Sequence, residues 1–83
     1  MKTHTIIVAM RDTGEELERA EVRAEEAIVA AVAAEMVANY AVTPGSQVLI
    51  ASERRDGSFT ELVTLNDWLS NHKKKITSQR VRW

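Results

Sequence analysis

The stretch TGEELERAEVRAEEA, residues 13–27, decides what this chain can fold into. It reads either as the first half of one long charged helix or as the second strand of a hairpin that leads into a shorter helix. The spacing of Leu17, Ala20, Ala24 and Ile28 suits the long helix, and Thr13 with Glu16 has the form of a capping box. Such a helix, however, would place Val22 on its charged face. From Arg19 to Ala24 the residues alternate strictly, R-A-E-V-R-A, which turns Ala20, Val22 and Ala24 to one side of a strand. A helix from Gly14 to Ala41 would also run about 40 Å, longer than a domain of this size is wide. The shorter helix has a fault of its own, since no good N-cap residue precedes Glu25. The hairpin is the preferred reading and the long helix its alternative.

The flanking segments are easier. In THTIIVAMR, His4, Ile6, Val8 and Met10 share one face and Thr5, Ile7 and Ala9 the other, the pattern of a largely buried central strand. RDTG supplies a reversal, because Asp and Gly tolerate the backbone angles of a turn. EEAIVAAVAAEMVANYAV is helical on either reading. Glu25 and Glu26 suit the positive end of the helix dipole, and Ile28, Val32, Met36 and Tyr40 form a stripe expected to pack on a sheet. Thr43, Pro44 and Gly45 end the helix.

SQVLIASERRDGSFTELVTL carries the sharpest local signal, Asp56-Gly57 between two β-rich runs, which predicts a two-residue type I′ hairpin. That loop sets Arg55 opposite Ser58, Arg54 opposite Phe59, Ser52 opposite Glu61, Ile50 opposite Val63 and Val48 opposite Leu65. Asn66 then caps a short helix, NDWLSNHKKK, with Trp68, Leu69, His72 and Ile76 on its apolar side. In RVRW, Val81 and Trp83 alternate with Arg80 and Arg82 as a short edge strand would. The expected fold is therefore α+β. A four-stranded, mainly antiparallel sheet in the order ββαββ carries one long helix on one face and a short helix or strand at the C-terminus.

Eighty-three residues make one domain with a single core. Alanine and valine supply most of its apolar content, so that core should be thin. Cysteine is absent, which excludes disulfides and thiolate metal sites and fits a reducing cytoplasm. The start MKTHTIIVAM is too short and too polar for a signal peptide, and no segment reads as a membrane span. Net charge conceals an asymmetry: residues 1–72 hold twelve acids against six bases, whereas residues 73–83 hold five bases and no acid.

Two regions are candidates for binding. At the hairpin tip Arg54, Arg55, Asp56 and Phe59 project together, with Arg54 able to lie across the Phe59 ring; arginine beside an exposed aromatic is the composition of an interface hot spot. In the basic tail, Lys73, Lys74, Lys75, Arg80 and Arg82 could neutralise phosphates while Trp83 stacks on a base. The plainer readings are a solvated hairpin end and a solubilising tail. Enzyme signatures are missing: there is no phosphate-binding glycine loop, and His4 and His72 lack a second ligand at metal spacing. Neither catalysis nor a cofactor is expected.

With its strand, strand, helix, strand, strand order, and with Val22-Arg23-Ala24 leading into an Ala-rich helix, the chain over residues 3–65 resembles small phage-encoded anti-CRISPR proteins. The resemblance implies a non-enzymatic inhibitor in the host cytoplasm that docks on a CRISPR effector ribonucleoprotein and blocks target-DNA access or nuclease recruitment. It carries over no functional residue. The alternative is a small nucleic-acid-binding module that uses the basic tail, and a third reading is a homodimer joined through an exposed sheet edge.

Overall fold

The computed structural model describes residues 1–71. The expected tail residues Lys73, Lys74, Lys75, Arg80, Arg82 and Trp83, with His72, Ile76 and the RVRW strand, lie outside the described residues. The elements are β1 (Thr3–Met10), β2 (Glu16–Arg23), α1 (Glu26–Asn39), β3 (Ser46–Ser52) and β4 (Val63–Thr64). A second helix, α2, covers residues 65–71. The fold is α+β, with an open four-stranded sheet of order β2-β1-β3-β4 in which every neighbouring pair is antiparallel.

Residues 13–27 resolve as turn, strand and helix entry, which overturns the long-helix alternative. Gly14 N–H donates to the Met10 carbonyl at 2.8 Å and Met10 N–H to the Glu15 carbonyl at 2.9 Å, closing the RDTG turn. β2 then runs back along β1 with Ala20 opposite Ile6 and Val22 opposite His4. The alternation wins over helical spacing because it turns Ala20, Val22 and Ala24 towards the core, where all three pack. One irregularity remains: Val8 faces Glu18 but Ala9 faces Glu16, so Leu17 is an extra, bulged residue, and it too reaches the core.

β1 is the central strand, with six consecutive buried residues from His4 to Ala9. Its second neighbour is β3, with Ile6 opposite Ile50 and Val8 opposite Val48. These four side chains share the face on which α1 lies, and Val29, Ala33 and Met36 of the helix complete the core. The reverse face carries Thr5, Ile7, Ala9, Leu49 and Ala51, flanked on β2 by Arg19, Glu21 and Arg23.

Val32, Met36 and Tyr40 of the expected stripe pack on the core, but the helix differs from expectation in its first turn and in length. Val29 is fully buried, whereas Ile28, expected in the stripe, is 52% exposed. Alanine surrounds both, so the sequence pattern alone admits either phase. The turn out of β2 decides between them, through an extended Glu25 (φ −65, ψ 154) that offers no side-chain cap. The helix ends at Asn39, and the Tyr40 hydroxyl donates to Glu18 at 3.2 Å, fastening that end to β2. Gly45 follows at φ +82, where a Cβ would stand 3.3 Å from the Met10 methyl.

The second hairpin keeps the expected register at its base but not at its tip. Ile50 faces Val63 as the sequence predicts. At the tip, however, Arg54 N–H donates to the Ser58 carbonyl at 2.6 Å and Gly57 N–H to the Arg54 carbonyl at 3.0 Å. The loop is thus three residues, 55–57, with Gly57 at φ +89, and Phe59 pairs with Glu53 rather than Arg54. A type I turn completed by a left-handed glycine is the usual three-residue hairpin, and Asp-Gly serves it as well as a type I′ loop. Residues 60–62 absorb the one-residue shift, which leaves β4 only two residues long. Leu65 enters α2 instead of pairing with Val48. The cap is Thr64, whose hydroxyl accepts from Asp67 N–H at 3.2 Å, rather than Asn66.

Candidate functional site

The hairpin tip is held by its own side chains. Asp56 accepts hydrogen bonds from Ser58, from the backbone N–H at 2.9 Å and the hydroxyl at 2.6 Å. Those bonds favour the carboxylate and hold Asp56 below its ordinary pKa. Arg54 does not rest on the Phe59 ring as expected. Its guanidinium crosses the hairpin and donates to the Phe59 carbonyl at 2.9 Å and the Ser58 hydroxyl at 3.4 Å. Of the four tip candidates, Arg54 and Asp56 therefore shape the loop, while Arg55 and Phe59 are left facing outward. Phe59 is 40% exposed.

Beside the tip, a groove of about 400 Å³ opens between the hairpin, the first residues of α1 and α2, and its walls include Lys2, His4, Glu26, Ser52, Arg54 and Trp68. His4 is 2% exposed at its floor. Its Nδ1 lies 2.8 Å from the Ser52 hydroxyl, which also accepts the Trp68 indole N–H at 3.2 Å. The imidazole and indole meet edge to face, with centroids 6.0 Å apart. One hydroxyl thus ties the central strand, β3 and α2 together. The sequence shows no link between these three residues, since 48 positions separate His4 from Ser52. Extending the Ile6–Ile50 pairing by two residues would have found it, but that pairing is itself non-local.

A serine hydroxyl beside an imidazole has the spacing of a nucleophile and its base. Here the hydroxyl is engaged by Trp68 as well, and the three side chains form a polar clamp between β1, β3 and α2. Burial pushes the His4 imidazole below its ordinary value of 6.5; Glu26 pulls it back up and Lys2 adds to the lowering. The sign of the consequence follows. The unfolded chain takes up a proton near 6.5, the folded chain only below that, so stability is complete above 6.5 and falls as pH drops from there towards the folded value. Urea midpoints measured from pH about 7.5 down to about 5 should decline below 6.5, and His4→Gln should flatten that decline. A profile unchanged by the substitution would assign the pH dependence to other groups.

Among the described residues no group of three or more His, Cys, Asp or Glu side chains is placed to hold a metal ion. No helix among them is long and apolar enough to cross a membrane. Comparison with protein families, curated proteins and solved structures finds no match to this chain.

Proposed function

We propose that the chain is a non-catalytic protein-binding inhibitor of the kind it resembles, docking on a CRISPR effector complex and blocking target-DNA access or nuclease recruitment. On this reading it is phage-encoded and works in the cytoplasm of the host cell. The observation that carries the proposal is the pre-organised tip, in which Arg54 and Asp56 fix the loop and leave Arg55 and Phe59 presented to solvent. A rigid aromatic anchor beside an arginine loses little conformational freedom when it docks. The outer side of α1 gives further support. Apart from Glu26, Glu35 and Asn39 the helix is apolar throughout, and Ala27, Ile28, Ala31, Ala34 and Ala38 are exposed. A surface helix whose outer side is largely apolar is the composition of a protein-contacting surface. The ββαββ order on which the resemblance rests is also the order of the fold.

The test is a pull-down of the tagged chain from bacterial lysate, with and without nuclease, read by mass spectrometry. A stoichiometric set of effector subunits should survive nuclease and moderate salt. Phe59→Ala combined with Arg55→Glu should weaken that capture about tenfold or more while the far-UV circular dichroism stays native, because Arg54 and Asp56 hold the loop. Recovery that disappears with nuclease would sink the protein-docking reading in favour of nucleic acid.

A further inference from the structure

The two edges of the sheet are treated differently. β4 is two residues long and offers little backbone to a newcomer. β2 is eight residues, ELERAEVR, with no proline or glycine, and among the described residues nothing pairs with its outer side. Natural edges are blunted by proline, by a bulge or by charged side chains; β2 has a bulge at Leu17, near its start, and it carries charges. Those charges alternate in sign: Arg19, Glu21 and Arg23 share the face opposite Ile7, Thr5 and Thr3, while Ala20 and Val22 lie on the α1 face.

That alternation is self-complementary in two registers, about Ala20 and about Val22; the second opposes Glu21 to the partner's Arg23 but engages only residues 21–23 of the strand, whereas the first engages 17–23. Two copies related by a two-fold axis normal to the sheet pair β2 with β2 antiparallel, and each side chain must stay on its own face, so the axis passes through a residue. An axis through Arg19 sets the two Arg19 side chains against each other. An axis through Glu21 does the same to Glu21 and also opposes Arg19 to Arg23. An axis through Ala20 instead sets Arg19 against the partner's Glu21 and Glu21 against the partner's Arg19, with two small alanines meeting on the other face. Like charges directly opposite destabilise a ladder and unlike charges stabilise it. Arg19 at present leans on Glu16, at 2.6 Å, but both are exposed and that pair is free to exchange.

We propose that this chain forms a homodimer by antiparallel pairing of β2 about Ala20, giving one continuous sheet with reciprocal Arg19–Glu21 pairs across the joint. The surface is independent of the hairpin tip, which belongs to the β3–β4 side of the sheet.

Because the chain has no cysteine, one introduced thiol reports on the joint alone. Ala20→Cys would place two thiols on directly facing residues, about 4.5–5.5 Å apart at Cα, within disulfide reach. Val22→Cys, on the same face, would lie four positions from its copy, about 13 Å away, and out of reach. At micromolar concentration the full chain should sediment at twice its monomer mass. Mild oxidation should cross-link Ala20→Cys and leave Val22→Cys free. Arg19→Glu should weaken association at least tenfold, and Arg19→Glu with Glu21→Arg should restore it, which also separates lost pairing from lost folding. A monomer under these conditions, cross-linking at position 22 in place of 20, or a swap that fails to restore association would each overturn the proposal.

Discussion

Ile6→Ala should unfold a large share of the chain at 37 °C. Ile6 has no exposed surface and sits among Val8, Val29, Ala33, Met36, Val48 and Ile50. Truncating such a side chain costs about 2–5 kcal/mol in transfer energy and cavity. A chain of this length holds only about 4–12 kcal/mol in total. The core has little with which to refill the space, because Ala33 is the helix residue at its centre and alanine cannot extend into a void. The melting temperature should fall by about 10–30 °C, read by far-UV circular dichroism. The matched control is Ile28→Ala on α1, which should change stability by less than about 0.5 kcal/mol, since half of that side chain already faces solvent. Comparable losses from the two variants would mean that the first turn of α1 packs through Ile28 and not through Val29.

Ser52→Ala should be the next most damaging substitution, although it deletes a single oxygen. The hydroxyl serves His4 on one side and the Trp68 indole on the other, and His4 has almost no access to water that could replace it. Each buried polar group deprived of its partner costs about 1–3 kcal/mol. The loss should appear first as release of α2, because Trp68 is that helix's contact with His4 and Ser52. In a Trp83→Phe background Trp68 emission should shift to the red at denaturant concentrations that leave the sheet's circular dichroism intact. Ser52→Thr, which keeps the hydroxyl, should preserve the native emission. A Ser52→Ala protein with native emission and native stability would show that the clamp contributes nothing.

These two residues also mark where the sequence was legible and where it was not. Ile6 could be placed from alternation alone, as could Val22, because period-two patterning is a local property and the strands obey it. Strand, turn and helix order followed from the same signal. The His4–Ser52–Trp68 cluster could not be found that way, since it depends on β1 pairing with β3, and no short window contains both. The tip failed for a different reason. Asp-Gly is compatible with a two-residue and a three-residue loop, and the choice lay with Arg54 and Asp56, whose side-chain bonds reward the longer one. Ile28 and Val29 differ by one position in an alanine-rich helix, where the apolar pattern is too uniform to fix the phase. Of the four tip residues chosen for binding, Arg54 and Asp56 turn out to build the loop, and the one-residue shift pairs Phe59 with Glu53 in place of Arg54.

The position of β1 has a kinetic consequence. It is the most apolar strand and the middle of the sheet, yet its two neighbours reach it on different terms. β2 arrives through a short turn, so that hairpin can close in about 1–10 μs. β3 arrives only after the chain from Met10 to Ser46 has looped back, with α1 inside the loop. That helix has neither a side-chain cap at its start nor a basic residue in its last turn, and at 14 residues it is marginal in isolation. Closure of the long loop and formation of the helix should therefore be one event, and it should set the folding rate. Until it happens, Ile6, Val8 and their open backbone edge are exposed together. Refolding yield should fall with protein concentration even where the native protein stays in solution, and the intermediate lost should be the paired β1–β2 hairpin with nothing yet on its other side.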